Sequence, residues 1–391
     1  MHDRCSIAVV GSGPAGAAHA AALAEAGESV LLVGAGGWQR PGTVELLSGR
    51  LRPLLDRLGV LETVEQRAPA CGSTVFRWGA PRFAERSAAA DPWGPGWAVD
   101  RAWLDPLLER AAVARGARLL RARVRGLQRE RGRWALRCAR GDGTVVSVAA
   151  DAVTIAAGRS AAVAVGGGLL ERRRVRDLVA VTAWAPELAR LGPRLLVDAA
   201  ADGWWYAMGD GSGATVGYVT DAPLLAGGVD RLRAAWETAR PGWLPAVGAR
   251  LHGRPAFVQA SAWPDGDDDL IAIGDAALAL DPLSGHGLAV ALEGALVAAE
   301  RRGDYRDWHR ERLARALAEE PRVYAPAAAR RPASRFWSLR AASADGLYAG
   351  GDDLRPSQDA EPGRRRGCAA PHRGGRVRGR GAAADAAGAD G

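Results

Sequence analysis

Ser6-Ile7-Ala8-Val9-Val10-Gly11-Ser12-Gly13-Pro14-Ala15-Gly16 is the stretch on which the fold turns. Ser6–Val10 is a short apolar run rich in β-branched residues and reads as a buried strand; G-x-G-x-x-G follows at once. Ala17–Ala26 then reads as an Ala-rich helix closed by Gly27, and Ser29–Val33 as a second buried strand. Glycines placed between a strand and a helix have physical jobs. Gly11 permits the tight turn, Gly13 lets a pyrophosphate approach the backbone, and Gly16 lets helix and strand pack closely. Pro14 and Ala15 stand at the helix N-terminus, which offers N–H groups and a partial positive charge to phosphates. This β-α-β unit predicts a dinucleotide site.

One element of that site is missing. An acid that bonds the adenosine ribose is expected at the end of the second strand, where this chain has Gly34-Ala35-Gly36-Gly37. No carboxylate appears until Glu45. The departure speaks against NAD here and leaves FAD in need of contacts from elsewhere in the chain.

Further along, Arg50–Leu58 reads as a helix with Leu51, Leu54, Leu55 and Leu58 on one face, stopped by Gly59. Ser73–Trp78 reads as a strand and Asp91–Gly96 as a loop. Asp105–Arg115 reads as an amphipathic helix, capped by Asp105 with Pro106 at its first position. Arg118–Leu127, Trp134–Ala139 and Thr144–Ala149 read as three strands, and Ala152–Ala156 as another that ends at Gly158. Leu178–Trp184, Leu195–Asp198, Gly203–Met208 and Ala214–Thr220 predict an antiparallel sheet of a second domain. Val229–Thr238 follows as a helix, Leu270–Ile273 as a buried strand, Leu288–Glu300 as a mostly apolar helix, and Asp304–Glu320 as a charged peripheral one. Beyond about Leu339 apolar periodicity vanishes, and Ala341–Gly391 reads as a disordered tail, either a nucleic-acid-binding arm or a functionless extension.

Composition narrows the classes. The chain has 391 residues, enough for about two domains. All 52 residues of the Lys+Arg count are Arg, which excludes any mechanism that needs a lysine ammonium. Net charge is +8, but the arginines are interleaved with Asp and Glu, so a solvated surface is expected rather than a nucleic-acid track. Cys5, Cys71, Cys138 and Cys368 form no CxxC pair, so neither a zinc site nor a disulfide framework is indicated and a reducing cytoplasm fits. Apolar stretches break before about 18 residues, so no membrane span is expected.

Three more segments carry chemistry. Val99-Asp100-Arg101 leads into a helix, where Arg101 can reach a phosphate. Ala150–Ser160 is a strand that ends in the small-residue turn at Gly158. Ile271-Ala272-Ile273-Gly274-Asp275 precedes Pro282-Leu283-Ser284-Gly285-His286-Gly287-Leu288. With the first glycine motif, these segments resemble the flavoprotein monooxygenases of the p-hydroxybenzoate hydroxylase type over about residues 6–338. The resemblance implies an α/β fold: a Rossmann-like FAD-binding domain of the glutathione-reductase type, an inserted antiparallel β-sheet substrate domain and C-terminal helices. It implies FAD-binding parts at 1–70, 97–160 and 263–300, substrate-domain parts at 71–96 and 161–262, and C-terminal helices at 301–340.

Within the resemblance, Asp275 bonds the ribityl chain, and Pro282–Gly287 is a P-x-x-G-x-G loop whose helix N-terminus faces the flavin pyrimidine edge. The implied cofactor set is Gly11, Gly13, Pro14, Ala15, Gly16, Arg40, Arg101, Val124, Gly158, Gly274, Asp275, Pro282, Gly285, His286, Gly287 and Leu288. Reduced flavin carries negative charge near N1 and C2=O, which backbone N–H groups at a helix N-terminus stabilise. His286 stands where many relatives have Gln; it touches flavin or substrate, or satisfies a loop carbonyl. Ala289 replaces the usual Asn two residues after Gly287.

Asp202–Met208 adds aromatic side chains. Strand alternation puts Trp204 and Tyr206 on one face and Trp205 on the other. An aromatic face can stack a substrate ring, or be the ordinary core of a sheet. Flavin-dependent tryptophan halogenases carry W-x-W-x-I-P at a comparable place, where this chain has W-x-Y-x-M-G; their catalytic lysine has no counterpart here. Gly203–Tyr206, Arg40-Pro41-Gly42 and Phe336-Trp337 bring the chain closer to flavoproteins that hydroxylate protein-bound tryptophan.

The resemblance thus implies hydroxylation of a small or peptide-borne aromatic substrate through a flavin C4a-hydroperoxide. His286, Tyr206 and Trp204 are the candidate catalytic residues, and NAD(P)H is the electron donor, directly or through a partner flavin reductase. Two alternatives stay open: a prenyl-chain flavin reductase of the geranylgeranyl-reductase kind, and a decayed FAD-binding relative without catalysis.

Overall fold

The computed structural model describes residues 3–36, 43–222, 229–248, 250–264 and 269–342. The predicted tail from residue 343 onward and Arg40 lie outside the described residues.

Asp3–Val10, Pro14–Glu25 and Val30–Gly34 form the predicted β-α-β unit, with the two strands parallel. The first sheet runs Arg118–Arg121, Val30–Gly34, Asp3–Val10, Val145–Ile155, Arg133–Ala139, Arg123–Glu130. Val30–Gly34 is buried at every position, as expected of a parallel strand covered on both faces.

Two strand readings need correction. Thr144–Ala149 and Ala152–Ala156 are one continuous strand, Val145–Ile155. One edge of it pairs with Asp3–Val10. The other is shared: Arg133–Ala139 pairs antiparallel as far as Ala150, and Leu270–Ala272 parallel from Val153 to Ile155. Asp151, between the two expected strands, stays at the surface beside Arg133. Conversely, Arg118–Leu127 is not one strand. Arg118–Arg121 pairs parallel with Val30–Gly34, and after Ala122 the chain changes partner to pair antiparallel with Arg133–Ala139.

The helix expected from Asp105 starts earlier, at Arg101. Asp100 caps it, its Oδ1 accepting from the Ala102 N–H at 2.8 Å. Pro106 therefore lies inside the helix. Asp105 instead grips Arg101 one turn back.

The second sheet has the order His252–Pro255, Leu178–Ala185, Ala214–Asp221, Trp204–Gly209, Arg194–Ala199, Ser73–Arg77, Ala84–Ser87. Its pairs are antiparallel except Arg194–Ala199 with Ser73–Arg77. Val44–Leu47, Gly96–Asp100 and Ala70–Cys71 form a small sheet joined to it by Val44 N–H donating to Thr215 Oγ1 at 2.7 Å. Alternation along Trp204–Gly209 sorts the aromatics as expected. Trp205 packs on Tyr218 and Trp236, with ring centroids at 4.9 and 4.6 Å, beneath the helix Val229–Ala239. Trp204 and Tyr206 face the opposite way, toward Trp78 and the C-terminal helices. Each such aromatic contact contributes about 1 kcal/mol beyond its area.

The C-terminal helix runs from Tyr305 to Ala328, longer than predicted and not peripheral. Pro321 and Pro326 lie inside it, yet it continues because Glu320, Tyr324 and Ala327 are buried on its inner face. Arg176 Nη2 and Glu320 Oε2 meet at 2.8 Å. The following helix, Arg335–Ala341, is anchored by Arg340, which is 1% exposed and bonds Phe336 O at 2.7 Å as well as Asp221.

Candidate functional site

The first strand ends at Gly11, whose φ of +115° favours glycine. A Cβ there would lie 2.3 Å from the Ala156 carbonyl oxygen, and one at Gly16 would lie 1.8 Å from Gly11 O. Close packing of turn, helix and neighbouring strand therefore depends on both. Gly13 differs: a Cβ built on it meets nothing within 4 Å. Gly13 is the N-cap of Pro14–Glu25, has no side-chain cap, and accepts the first helical bond from Ala17 N–H at 2.9 Å. The amides of Ala15 and Gly16 thus precede the first intrahelical bond. Open space over Gly13 beside an uncapped helix N-terminus suits a pyrophosphate.

Gly274 brings the second motif onto the first. The Ile273 N–H donates to Ile155 O at 2.9 Å, and Gly274 turns with φ +57°. Its ideal Cβ would lie 2.7 Å from Ala15 Cβ and 3.8 Å from Ala291 Cβ. One turn further on, His19 Nδ1 lies 2.8 Å from Ala295 O. Ala15 goes with Ala291 and His19 with Ala295, so Pro14–Glu25 and Gly287–Glu300 run parallel, side by side. Both N-termini therefore open at the same end. One stands where pyrophosphate is expected and the other where the flavin pyrimidine edge is expected.

The Pro282–Gly287 loop is held from behind. Asp281 Oδ1 accepts from Leu283 N–H at 2.9 Å, and Oδ2 accepts from the Tyr324 hydroxyl at 2.8 Å. Burial raises the Asp281 pKa, and these two bonds oppose the rise. Gly285 turns left-handed, His286 is the N-cap of Gly287–Glu300, and Leu288 is buried in its first turn. A Cβ on Gly285 or Gly287 meets nothing within 4 Å, so this backbone also faces open space. The His286 N–H donates to Ser284 Oγ at 3.2 Å; the residue is exposed, and partial desolvation together with Arg50 lowers its imidazole pKa.

Two arginines belong to the segments that carry the motifs. Arg101 donates to Asp105 at 2.6 and 2.9 Å and to Glu45 Oε1 at 3.1 Å. Burial works against its charge, but Glu45 and Asp105 more than offset that and raise its pKa. Arg159 follows Gly158 at the end of Val145–Ile155; its Nε lies 3.3 Å from Asp275 Oδ2, and its Nη1 donates to Pro255 O at 3.0 Å. Burial raises the Asp275 pKa, Arg159 opposes this, and Glu45 adds to it. Val124 is buried just beyond Ala122, whose N–H donates to Gly34 O at 3.2 Å.

On the aromatic face, Trp204 is 2% exposed, with Trp78 at 6.5 Å and Tyr206 at 5.9 Å between ring centroids. Tyr206 lies over the backbone of Gly217: a Cβ there would fall 2.1 Å from the ring. Burial pushes the Tyr206 hydroxyl up to about 12, with Glu45 adding and Arg254 and Arg159 opposing. Leu283 of the Pro282–Gly287 loop packs in the same cluster as Tyr206 and Trp204.

Sequence reasoning missed Arg159, Asp281 and Tyr324 as parts of this region. Arg159 was findable, because residues just past the carboxyl end of a parallel strand border the ligand crevice. Tyr324 carried no signal, since only the tertiary path of the C-terminal helix brings it to the loop.

Among the described residues no group of three or more His, Cys, Asp and Glu is arranged to hold a metal ion, and no helix is long and apolar enough to cross a membrane. Residues 4–169 match a protein family described as an FAD binding domain. No curated protein matches the sequence. Among solved structures, a myxobacterial chondrochloren halogenase, CndH, is similar with a TM-score of 0.73 and 21% identity, over 86% of each chain. The peptidyl tryptophan dihydroxylase QhpG, essential for tryptophylquinone cofactor biogenesis, is similar with a TM-score of 0.66 and 27% identity, over 86% of this chain and 79% of that one. The p-nitrophenol 4-monooxygenase PnpA of Pseudomonas putida DLL-E4 is similar with a TM-score of 0.67 and 18% identity, over 90% and 95%.

Proposed function

We propose that this chain, an FAD-dependent oxidoreductase with the fold of flavin monooxygenases and halogenases, hydroxylates an aromatic substrate, either tryptophan-like or borne on a peptide. The observation that carries the reading is that Leu283, inside the Pro282–Gly287 loop expected at the flavin, packs in the same cluster as Trp204 and Tyr206, so the aromatic face adjoins that loop. The likeness to a peptidyl tryptophan dihydroxylase supports the substrate class. Halogenation is disfavoured, because the resemblance gives it a catalytic lysine and the chain has none.

Bound flavin supplies the two-electron chemistry and the activation of dioxygen. The chain's own groups do the rest. The two helix N-termini would bind and orient the cofactor, and Asp275 would hold its ribityl chain. Tyr206 offers a ring edge and a neutral hydroxyl to the substrate. Trp204, Trp78 and Leu283 form an apolar floor that excludes water. The overall reaction is ArH + O2 + NAD(P)H + H+ giving ArOH + H2O + NAD(P)+, with reducing equivalents delivered directly or by a partner reductase.

The test is a visible spectrum of the purified protein, then turnover of tryptophan-containing peptides and free indoles with labelled dioxygen. One labelled oxygen atom in the product supports the proposal. A flavin that saturates prenyl double bonds without consuming oxygen would establish the reductase alternative. A folded chain that takes up no FAD would leave the decayed relative.

A further inference from the structure

The end of the second strand lacks the acid that commonly holds an adenosine ribose, and the structure shows what occupies its place. Gly34 is the last residue of Val30–Gly34. A Cβ built on it would lie 2.0 Å from Ser12 Oγ and 2.4 Å from Ser12 Cβ. The Ser12 side chain thus fills the volume in which a residue-34 side chain would begin. Ser12 is the second residue of the G-x-G turn, half-buried, directly before the open space at Gly13. Its Oγ has no hydrogen-bond partner among the described residues.

The nearby carboxylates are already engaged. Glu109, whose side chain is 8% exposed, takes two nitrogens of Arg121, one of them at 2.7 Å. Arg121 stands opposite Gly34 in the strand register, and its Nη1 lies 3.5 Å from an ideal Cβ on Gly36. Glu45 is engaged by Arg101 at 3.1 Å. Among the described residues the strand end therefore presents a neutral ion pair and one hydroxyl rather than a free anionic acceptor.

We propose that Ser12 replaces the strand-end acid, its hydroxyl bonding the adenosine ribose of FAD from the glycine turn instead of from the second strand. The proposal rests on FAD as the ligand. A serine hydroxyl both donates and accepts, so it can meet a ribose hydroxyl in either sense. Position 34 must then be glycine, because any side chain there would displace Ser12.

The test is a set of FAD and FMN dissociation constants, read from flavin fluorescence, for the wild-type chain, Ser12→Ala, Gly34→Glu, and Ser12→Gly combined with Gly34→Glu. Melting curves of the flavin-free proteins report folding. Ser12→Ala should weaken FAD about five-fold, the loss of one neutral hydrogen bond, and leave FMN, which lacks the adenosine, unchanged. Gly34→Glu alone should weaken FAD more strongly, and adding Ser12→Gly should recover it by making room for the acid. Ser12→Ala with unchanged FAD affinity, or with equal losses for FAD and FMN, would overturn the proposal even if the double variant does not fold. A folded wild-type chain that binds no FAD would instead remove the FAD assignment on which the proposal rests.

Discussion

The Tyr324 hydroxyl donates to Asp281 Oδ2 at 2.8 Å, tying the long C-terminal helix to the residue that precedes the Pro282–Gly287 loop. The other oxygen of the same carboxylate caps the loop at Leu283 N–H. Tyr324 is itself buried among Trp78, Phe336 and Trp337. Loop geometry is therefore set by the aromatic cluster that also contains Trp204. Tyr324→Phe keeps the ring contacts and strands a buried carboxylate oxygen. It should cost about 1–3 kcal/mol in unfolding free energy and weaken FAD binding, read by denaturant titration and flavin fluorescence. Unchanged FAD affinity would show that the loop holds its shape without this bond.

Gly13 and Gly274 should respond differently to alanine. Gly13 has φ −71° and open space around it, so Gly13→Ala should leave the melting temperature of the flavin-free protein unchanged. The new methyl would stand where pyrophosphate approaches, so FAD uptake should fall at least ten-fold, about 1.4 kcal/mol. Gly274→Ala puts a methyl 2.7 Å from Ala15 Cβ at a left-handed position, and should lower both melting temperature and FAD uptake. Equal effects of the two changes on the flavin-free protein would contradict the assignment of open space at Gly13.

Gly217→Ala tests the aromatic face without touching the cofactor. Its Cβ would fall 2.1 Å from the Tyr206 ring and force the ring to move. Substrate turnover should fall several-fold while FAD affinity stays at the wild-type value. A variant with normal turnover would remove Tyr206 from the substrate face.

Acid should destabilise the fold through two buried histidines. Burial lowers His19 from 6.5 to about 4, with the Ala295 carbonyl opposing, and lowers His309 from 6.5 to about 4, with the Ala277 carbonyl opposing. Between pH 6.5 and about 4 the unfolded chain binds more protons than the folded one, so stability falls as pH falls through that window. Each histidine contributes on the order of 3 kcal/mol across it. Melting temperature from pH 7 to 4.5 measures the slope, and His19→Gln should flatten it. An unchanged slope would mean that His19 is not buried neutral.

The β-α-β unit was legible because its signals are local: a buried strand, a glycine turn and a helix follow one another within the reach of backbone hydrogen bonds. The same holds for the alternation of Trp204, Trp205 and Tyr206 along their strand, since side chains two residues apart share a face. Boundaries were less legible. Val145–Ile155 is continuous because three different strands bond its two edges, and local composition around Asp151 shows none of them.

The absence of an acid at Gly34 could be read directly from the order of residues. That Ser12 fills the space above Gly34 could not, because the two residues meet only when the turn folds back over the second strand. The parallel setting of the helices that begin at Pro14 and Gly287, and the approach of Tyr324 to Asp281, are likewise long-range. Periodicity and turn chemistry specify elements over a few residues, whereas side-chain meetings across hundreds of residues follow from which buried faces close upon each other.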